Sequence, residues 1–556
     1  MRSSFALFYL ATTTTASPII RLSYGSFRGS FEGNLSTYLA IPFAAPAVRF
    51  TLPSAPKAFP GVKNATSPGP ACPQQALTPG PGGDLPKSYN TTSEDCLTLS
   101  VFAPRNVTTQ AKLPVFVWIY GGGFEIGNSA DQDVRPTVER SILRNQPIIV
   151  VTPNYRVTAF GFLGGKEVQQ AGISNLGLRD QIFALKWVQE HIAAFGGDPR
   201  QVVIGGPSAG AVSVALLFLN NRQFSPSQLF RGGFMLSGSP ITTFRTSDGQ
   251  KEYDNLVSES NCTHAHNTLD CLRNVPVDAL TTVINRTPDI LGYQSLQIVW
   301  RPTIDGDVIV EDPLISVAKG NYARLPFITG DADDEGTIFS FGNSNITTNA
   351  EFIEYIHSNY LPKATSAQIA QLGELYPEDP SQGSPFDTGN ASQLTPEFKR
   401  LAAFQGDYFF IGARRFFLQH ASRTQQTWSY LSKRGKNTTF LGASHGSDVL
   451  LWLPTTNTTD FVLSDALINF INTLNPNCPA ASADIPAPGR GQWWPTWTNG
   501  APVLLTLSDP DAVTITTEDF REEPIQYLYN VLFEEGRKSM RDTNRLCIPD
   551  ILQGCN

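Results

Sequence analysis

The first residues in this chain whose types and spacing suggest chemistry are Gly206-Pro207-Ser208-Ala209-Gly210, a G-x-S-x-G pattern between the apolar runs Gln201 to Gly205 and Ala211 to Leu219. A serine at a strand-to-helix turn is held in a sharp conformation with its hydroxyl exposed, and small residues two positions to either side let strand and helix cross closely. The N-terminus of the helix that the run Ala211 to Leu219 can form also turns its dipole and free N–H groups toward any negative charge developing at the serine. The pattern alone is weak. Glycine-rich chains meet it by chance, and Gly442-Ala443-Ser444-His445-Gly446 meets it as well. The alternative is a small residue in an ordinary turn, so the rest of the chemistry has to decide.

A serine hydroxyl needs a base to take its proton. The histidines are His191, His264, His266, His357, His420 and His445. His191 lies in an amphipathic helical stretch and reads as structural. His264 and His266 fall between Cys262 and Cys271, and His357 and His420 have polar or helical surroundings. His445 sits in the small-residue loop Gly442 to Asp448, late in the chain, where the order serine, acid, histidine of an α/β-hydrolase puts the base. The second pattern therefore contributes its histidine, having no glycine-rich loop in order ahead of it. The acid should leave a strand end between serine and histidine, and Asp331, Asp333, Asp334 and Glu335 crowd the end of the run Leu325 to Gly330. Pattern does not choose among them. A calcium loop is the rival reading, but D-A-D-D-E-G departs from the EF-hand, whose bidentate glutamate comes well after its glycine. For an oxyanion, Tyr120-Gly121-Gly122-Gly123-Phe124 follows an apolar strand and offers the amides of Gly122 and Gly123, to which Ala209 adds its own; an ordinary flexible turn is the alternative.

These residues need a scaffold that gathers distant segments. Leu113 to Tyr120, Pro147 to Pro153, Gln201 to Gly205, Gly233 to Ser237 and Leu325 to Gly330 are β-branched or aromatic runs bounded by turns, which predicts fully buried strands. Leu178 to Phe195 has helical periodicity. The alternation predicts an α/β fold with a large, mostly parallel central sheet flanked by helices. Ile19 to Ser30 alternates around glycine turns and predicts a small N-terminal antiparallel sheet. No repeat or low-complexity linker divides the chain, so one domain is expected over residues 18–556, with Gln74 to Asn90 and Pro377 to Gly389 as surface loops. Phe404, Phe409, Phe410, Phe416 and Phe417 in the amphipathic stretch Leu394 to Arg423, and Trp493, Trp494 and Trp497, read as core.

The 556 residues carry a formal charge of −8 with no Lys/Arg run, which lacks the footprint of a nucleic-acid binder and suits a neutral or weakly polar partner. Met1 to Ser4, the apolar Phe5 to Ala11 and small residues to Ser17 read as a signal peptide over residues 1–17, the alternative being a buried strand. No later stretch approaches the roughly 20 apolar residues a membrane-spanning helix needs, so no stable membrane insertion is expected. Glycosylation acceptors occur at Asn34, Asn64, Asn90, Asn106, Asn261, Asn285, Asn345, Asn390, Asn437 and Asn457. The 7 cysteines lack zinc-site spacing. In an exported chain the close pairs Cys72 with Cys96 and Cys262 with Cys271 are expected to bridge, leaving one of Cys478, Cys547 and Cys555 free or paired between chains. No metal or organic cofactor is implied.

Taken in order, Ser93 to Leu99, Tyr120 to Phe124, Asn154-Tyr155-Arg156, Asn175 to Gln181, Phe195 to Pro199, the Ser208 elbow, Asp334-Glu335-Gly336-Thr337 and His445-Gly446 resemble the type-B carboxylesterases and lipases, a family that also holds cholinesterases, secreted fungal lipases and sterol esterases. The likeness runs over nearly the whole mature chain. It implies the α/β-hydrolase fold and a secreted serine hydrolase that cleaves carboxylic esters through an acyl-enzyme. It also implies Ser208, Glu335 and His445 as the triad, Gly122, Gly123 and Ala209 as oxyanion donors, the two cysteine bridges above, and Ser237 as a supporting buried serine. Two positions depart from the pattern. Pro207 stands where the family usually has Glu, with neither N–H nor carboxylate, and Tyr120 stands where many members have His. The implied partner is a small-molecule or lipid-like ester. A lipase or sterol esterase is the alternative, and a non-catalytic cholinesterase-like binding module is the alternative of another class. Lipases of this family carry an amphipathic lid on the loop closed by the first disulfide. Here Pro73 to Asp95 offers only Ala76, Leu77, Leu85 and Tyr89 as apolar material, which predicts action on dissolved or modest-sized esters without strong interfacial activation.

Overall fold

A strand that is apolar at every position must bury both faces, and successive side chains then enter opposite cores. The computed structural model, which describes residues 17–79, 91–436, 439–477 and 493–546 (side chains to 537), has two such cores. Val115 and Val117 enter one while Phe116 and Trp118 enter the other. Val202 and Ile204 are divided in the same way from Val203, and Ile149 and Val151 from Ile148 and Val150. Residues 1–16 of the signal peptide expected over residues 1–17, together with Leu85, Tyr89, Asn90, Asn437, Cys478, Cys547 and Cys555, lie outside the described residues.

In chain order the strands are β1 (Ile19–Leu22), β2 (Gly25–Arg28), β3 (Ser30–Glu32), β4 (Leu35–Pro42), β5 (Val62–Asn64), β6 (Thr98–Pro104), β7 (Leu113–Trp118), β8 (Ile149–Pro153), β9 (Gly197–Pro207), β10 (Gly232–Leu236), β11 (Phe327–Ala332), β12 (Thr427–Lys433), β13 (Val503–Ser508) and β14 (Ala512–Thr517). Eleven of them form one sheet in the order β14-β13-β12-β11-β10-β9-β7-β8-β6-β4-β3. From β13 to β8 every neighbouring pair is parallel, and antiparallel strands close both edges. This is the expected α/β architecture. The helices Leu176–His191 and Ala209–Phe218 cover one face, and Arg135–Leu143 and Val462–Thr473 cover the other.

The small sheet contains the antiparallel pair expected over Ile19 to Ser30, and a third strand joins it. β1 and β2 pair antiparallel, as a tight hairpin must, but β5 returns after a long connection and joins β2 in parallel. The strand β12 escapes an apolar-run reading because buried Thr427, Ser429 and Ser432 interrupt it. Two of those hydroxyls have internal uses: Arg414 Nη1 donates to Ser429 Oγ at 2.8 Å, and Thr427 Oγ1 donates to Trp497 O at 3.1 Å. Trp494 and Trp497 are core as expected, but Trp493 is 60% exposed and is not. The aromatic stretch forms helices Phe398–Gly406 and Gly412–Ala421 joined by a π-turn, Asp407–Ile411. Cys72–Cys96 and Cys262–Cys271 are bridged. Among the described residues no helix is long and apolar enough to cross a membrane.

Candidate active site

Ser208 begins where β9 ends. Its backbone has φ 54° and ψ −125°, a conformation that is costly for a residue with a Cβ. Two bonds hold it there. The Ser208 N–H donates to Leu236 O at 2.8 Å, and the Ser208 carbonyl accepts from Val212 N–H at 2.9 Å in the helix Ala209–Phe218. One carbonyl explains the flanking glycines: a Cβ at position 206 would lie 2.2 Å from Ile119 O, and one at 210 would lie 2.1 Å from the same atom. The G-x-S-x-G spacing is the imprint of that close approach.

Ile119 also leads into the glycine loop that follows β7. Gly122 and Gly123 take positive φ (99° and 64°), and among the described residues the amides of Gly122, Gly123 and Ala209 donate to no backbone acceptor. Tyr120 anchors the root of this loop. Its ring stacks on Tyr155 at 4.2 Å, its hydroxyl donates to Tyr155 O at 2.6 Å, and Tyr155 OH donates back to Tyr120 O at 3.0 Å. Glu125, just beyond the loop, is fully buried and accepts from Ile290 N–H at 3.0 Å. Burial pushes its carboxyl well above the ordinary value against that bond, with the charge of Asp289 adding to the rise.

The four crowded carboxylates diverge. Asp331 accepts from Arg414 Nε at 2.6 Å, and Asp333 pairs with Lys436 and, at 3.5 Å, with Lys433. Asp334 accepts from Ala443 N–H at 2.9 Å and from Phe386 N–H at 2.8 Å. Glu335 alone reaches an imidazole. Its Oε2 accepts from His445 Nδ1 at 2.5 Å, and its Oε1 accepts from Ser237 Oγ at 2.6 Å and Ala332 N–H at 2.7 Å. An acceptor-only carboxylate places the proton on Nδ1 and leaves Nε2 free to act as a base. Burial opposes the imidazolium, but the charge of Glu335 and its hydrogen bond outweigh burial and raise His445 above 6.5. Among the described residues no His, Cys, Asp and Glu group is arranged to hold a metal.

The other histidines are employed elsewhere or face solvent. His191 packs against Trp187 and Tyr24, His357 bonds Ala364 O, His420 bonds Phe416 O, and His264 and His266 are exposed. Two aromatics not read from sequence as part of the site lie against His445: Phe410, with ring centres 4.7 Å apart, and Phe339, at 5.1 Å. Phe339 gives no pattern signal, and Phe410 was assigned only to the core.

Ser208, Gly121 to Gly123, Ser237 and His445 line one cavity of about 510 Å³, with Leu77, Ile126, Ile290, Leu291, Val449 and Leu450 among its apolar walls. Each polar element stands at the C-terminal end of a parallel strand. In sheet order these are His445 after β12, Glu335 after β11, Ser237 after β10, Ser208 after β9 and the glycine loop after β7.

A family model described as the carboxylesterase family matches residues 16–523. Secreted lipase 1 of Botryotinia fuckeliana is 38% identical over 519 residues, covering 89% of this chain and 88% of that protein. Secreted triacylglycerol lipase LIP1 of Gibberella zeae is 35% identical over 531 residues, covering 91% of this chain and 88% of that protein. Among solved structures, EstA of Aspergillus niger superposes with a TM-score of 0.78 at 27% identity, covering 93% of this chain and 99% of that one.

The elbow geometry predicts the effect of a single methyl group. Gly210→Ala drives a Cβ into the Ile119 carbonyl, and urea unfolding should record a loss of about 3 kcal/mol, the upper part of the range for overpacking. A wild-type midpoint for that variant would refute the close-approach explanation of the glycine.

Proposed function

The chain belongs to the carboxylesterase family and is a carboxylic ester hydrolase, and from that premise we propose that Ser208, His445 and Glu335 carry the reaction. The observation that supports this most strongly is the 2.5 Å bond from His445 Nδ1 to Glu335, made at the wall of the cavity that also holds Ser208 and the glycine loop. His445 Nε2 takes the proton as Ser208 Oγ attacks the ester carbonyl, and Glu335 stabilises the resulting imidazolium. The amides of Gly122, Gly123 and Ala209 receive the oxyanion, each donor worth about 3 to 4 kcal/mol in the transition state. Collapse breaks the bond to the alkoxy group, which leaves with the proton from His445. Water then attacks the acyl-enzyme by the same route and releases the acid. Ser237 bonds the second oxygen of Glu335 and fixes its direction.

Export is part of the same proposal. Both fungal relatives are named as secreted, two cysteine pairs are bridged, and the acceptor asparagines Asn34, Asn64, Asn106, Asn261, Asn285, Asn345, Asn390 and Asn457 are exposed. The substrate is a neutral ester of dissolved or modest size. A second reading, hydrolysis of lipid esters, is favoured by the lipase names of those relatives and by the apolar walls of the cavity.

A fluorophosphonate probe should label the wild type and leave Ser208→Ala unlabelled; equal labelling of both removes Ser208 as the nucleophile. Because His445 is raised and must be neutral to act as base, kcat/KM should fall as pH drops, with a midpoint above 6.5. Glu335→Gln withdraws the main support of the imidazolium, so the midpoint should move down and kcat should fall roughly 10⁴-fold. A midpoint that stays in place speaks against the acid. With tributyrin, the rate should rise smoothly through the solubility limit. A sharp jump there would favour the lipid-ester reading instead.

A further inference from the structure

The acid and the histidine leave different strands, so the gap between them has to be fixed by something other than the strands. Asp334, next to Glu335 in the chain, bonds the histidine loop with both its main chain and its side chain. The Asp334 N–H donates to Ala443 O at 2.9 Å, and Asp334 Oδ2 accepts from Ala443 N–H at 2.9 Å, which is a two-way tie to the residue two before His445. Asp334 Oδ1 accepts from Phe386 N–H at 2.8 Å and from Ser384 Oγ at 3.2 Å. One carboxylate thus joins three segments. Thr337 reinforces the seam by donating to Leu441 O at 2.8 Å. The fit is close, since a Cβ on Gly442 would lie 2.4 Å from Asp334 Oδ2. The charged groups that act on or feel Asp334 are Asp333, Lys399 and Lys436, whose Nζ lies 3.5 Å from Oδ2. Burial and Asp333 push Asp334 up to about 6, while Lys436 and the amides of Phe386 and Ala443 favour its ionised form, which accepts all three bonds.

We propose that Asp334 is a positioning residue for ester hydrolysis: through Ala443 it sets the separation between Glu335 and His445, and so keeps the imidazole where it can move a proton. This rests on the triad reading above. Asp334 is not among the residues lining the cavity, so its loss should change turnover and not substrate affinity. A displacement of about 1 Å at a reacting group can cost on the order of 100-fold in rate.

The test measures kcat and KM for p-nitrophenyl butyrate across pH in the full chain carrying Asp334→Ala or Asp334→Asn. Asp334→Ala should lower kcat by about 10- to 100-fold with KM within about twofold. The acid-limb midpoint should also move to lower pH, because a looser Glu335 supports the imidazolium less. Asp448 and Asp331, the other charges that raise His445, are unaltered in these variants. Asp334→Asn keeps one acceptor oxygen and should fall between wild type and alanine. If neither variant folds, Thr337→Val, which cuts only the hydroxyl's bonds to the seam, should move kcat and midpoint in the same direction by less. Unchanged kinetics in a folded variant overturn the proposal, as does a fall in kcat with an unmoved midpoint, the mark of a general structural loss. Fluorophosphonate labelling of wild type against Ser208→Ala keeps the two readings apart: if the wild type is not labelled at Ser208, the triad reading fails, whereas a labelled wild type whose kinetics ignore position 334 sinks only this inference.

Discussion

Parallel strands end together, and every polar element of the site depends on that constraint. In a sheet whose neighbours run the same way, all C-terminal ends lie on one rim, and the loops that leave them are brought side by side however far apart they are in the chain. Here β12, β11, β10, β9 and β7 are neighbours in that order, and they deliver His445, Glu335, Ser237, Ser208 and the glycine loop in the same order. Reversing one of these strands would send its residue to the opposite rim. The two-faced apolar sequences that force these strands into the middle of the sheet are therefore part of the chemistry, although none of their side chains needs to touch substrate.

The rim gives the neighbourhood, and short-range contacts give the distances. Ile119 O sets the pitch of the elbow by excluding any Cβ at 206 or 210. The stacked pair Tyr120 and Tyr155, with bonds in both directions, fixes the root of the glycine loop. Tyr120 occupies a position where many members of the family have histidine, and its phenol has an evident packing partner here. Pro207 contributes no carboxylate beside Ser208, so the acidic groups near the imidazole come from the end of β11 and from Asp448, which accepts from Tyr430 OH at 2.7 Å. The electrostatics are consistent with hydrolysis: a carboxylate bonds the imidazole, while burial raises the carboxyl of Glu125, just beyond the glycine loop.

The four clustered carboxylates illustrate how one short sequence can serve several purposes. Within Asp331 to Glu335, one carboxylate pairs with Arg414, one with Lys436, one holds the histidine loop and one meets the imidazole. Their closeness in sequence suggested a shared ligand such as calcium. In a turn leaving a buried strand, successive side chains point in different directions, so neighbours in the chain become specialists with separate partners.

The sequence by itself determined what could be written locally: apolar runs that must bury both faces, a serine between small residues, glycines after a strand, and a histidine in a loop late in the chain. These follow from side-chain period and backbone sterics, which act over a few residues. It did not determine which of Asp331, Asp333, Asp334 and Glu335 meets His445, nor that Phe410 and Phe339 pack on the imidazole. Phe410 sits in a π-turn whose extra residue shifts the helical period, and a reading at 3.6 residues per turn has no term for that shift. Strand β12 was obscured because buried hydroxyls interrupt its apolar run, those of Thr427 and Ser429 finding partners on other segments, and Trp493 was assigned to the core because one exposed indole looks like its buried neighbours in sequence. Only tertiary structure decided these points, because direction and partner are properties of packed surfaces whose contacts span from 15 residues of chain, for Arg414 and Ser429, to 110, for Glu335 and His445.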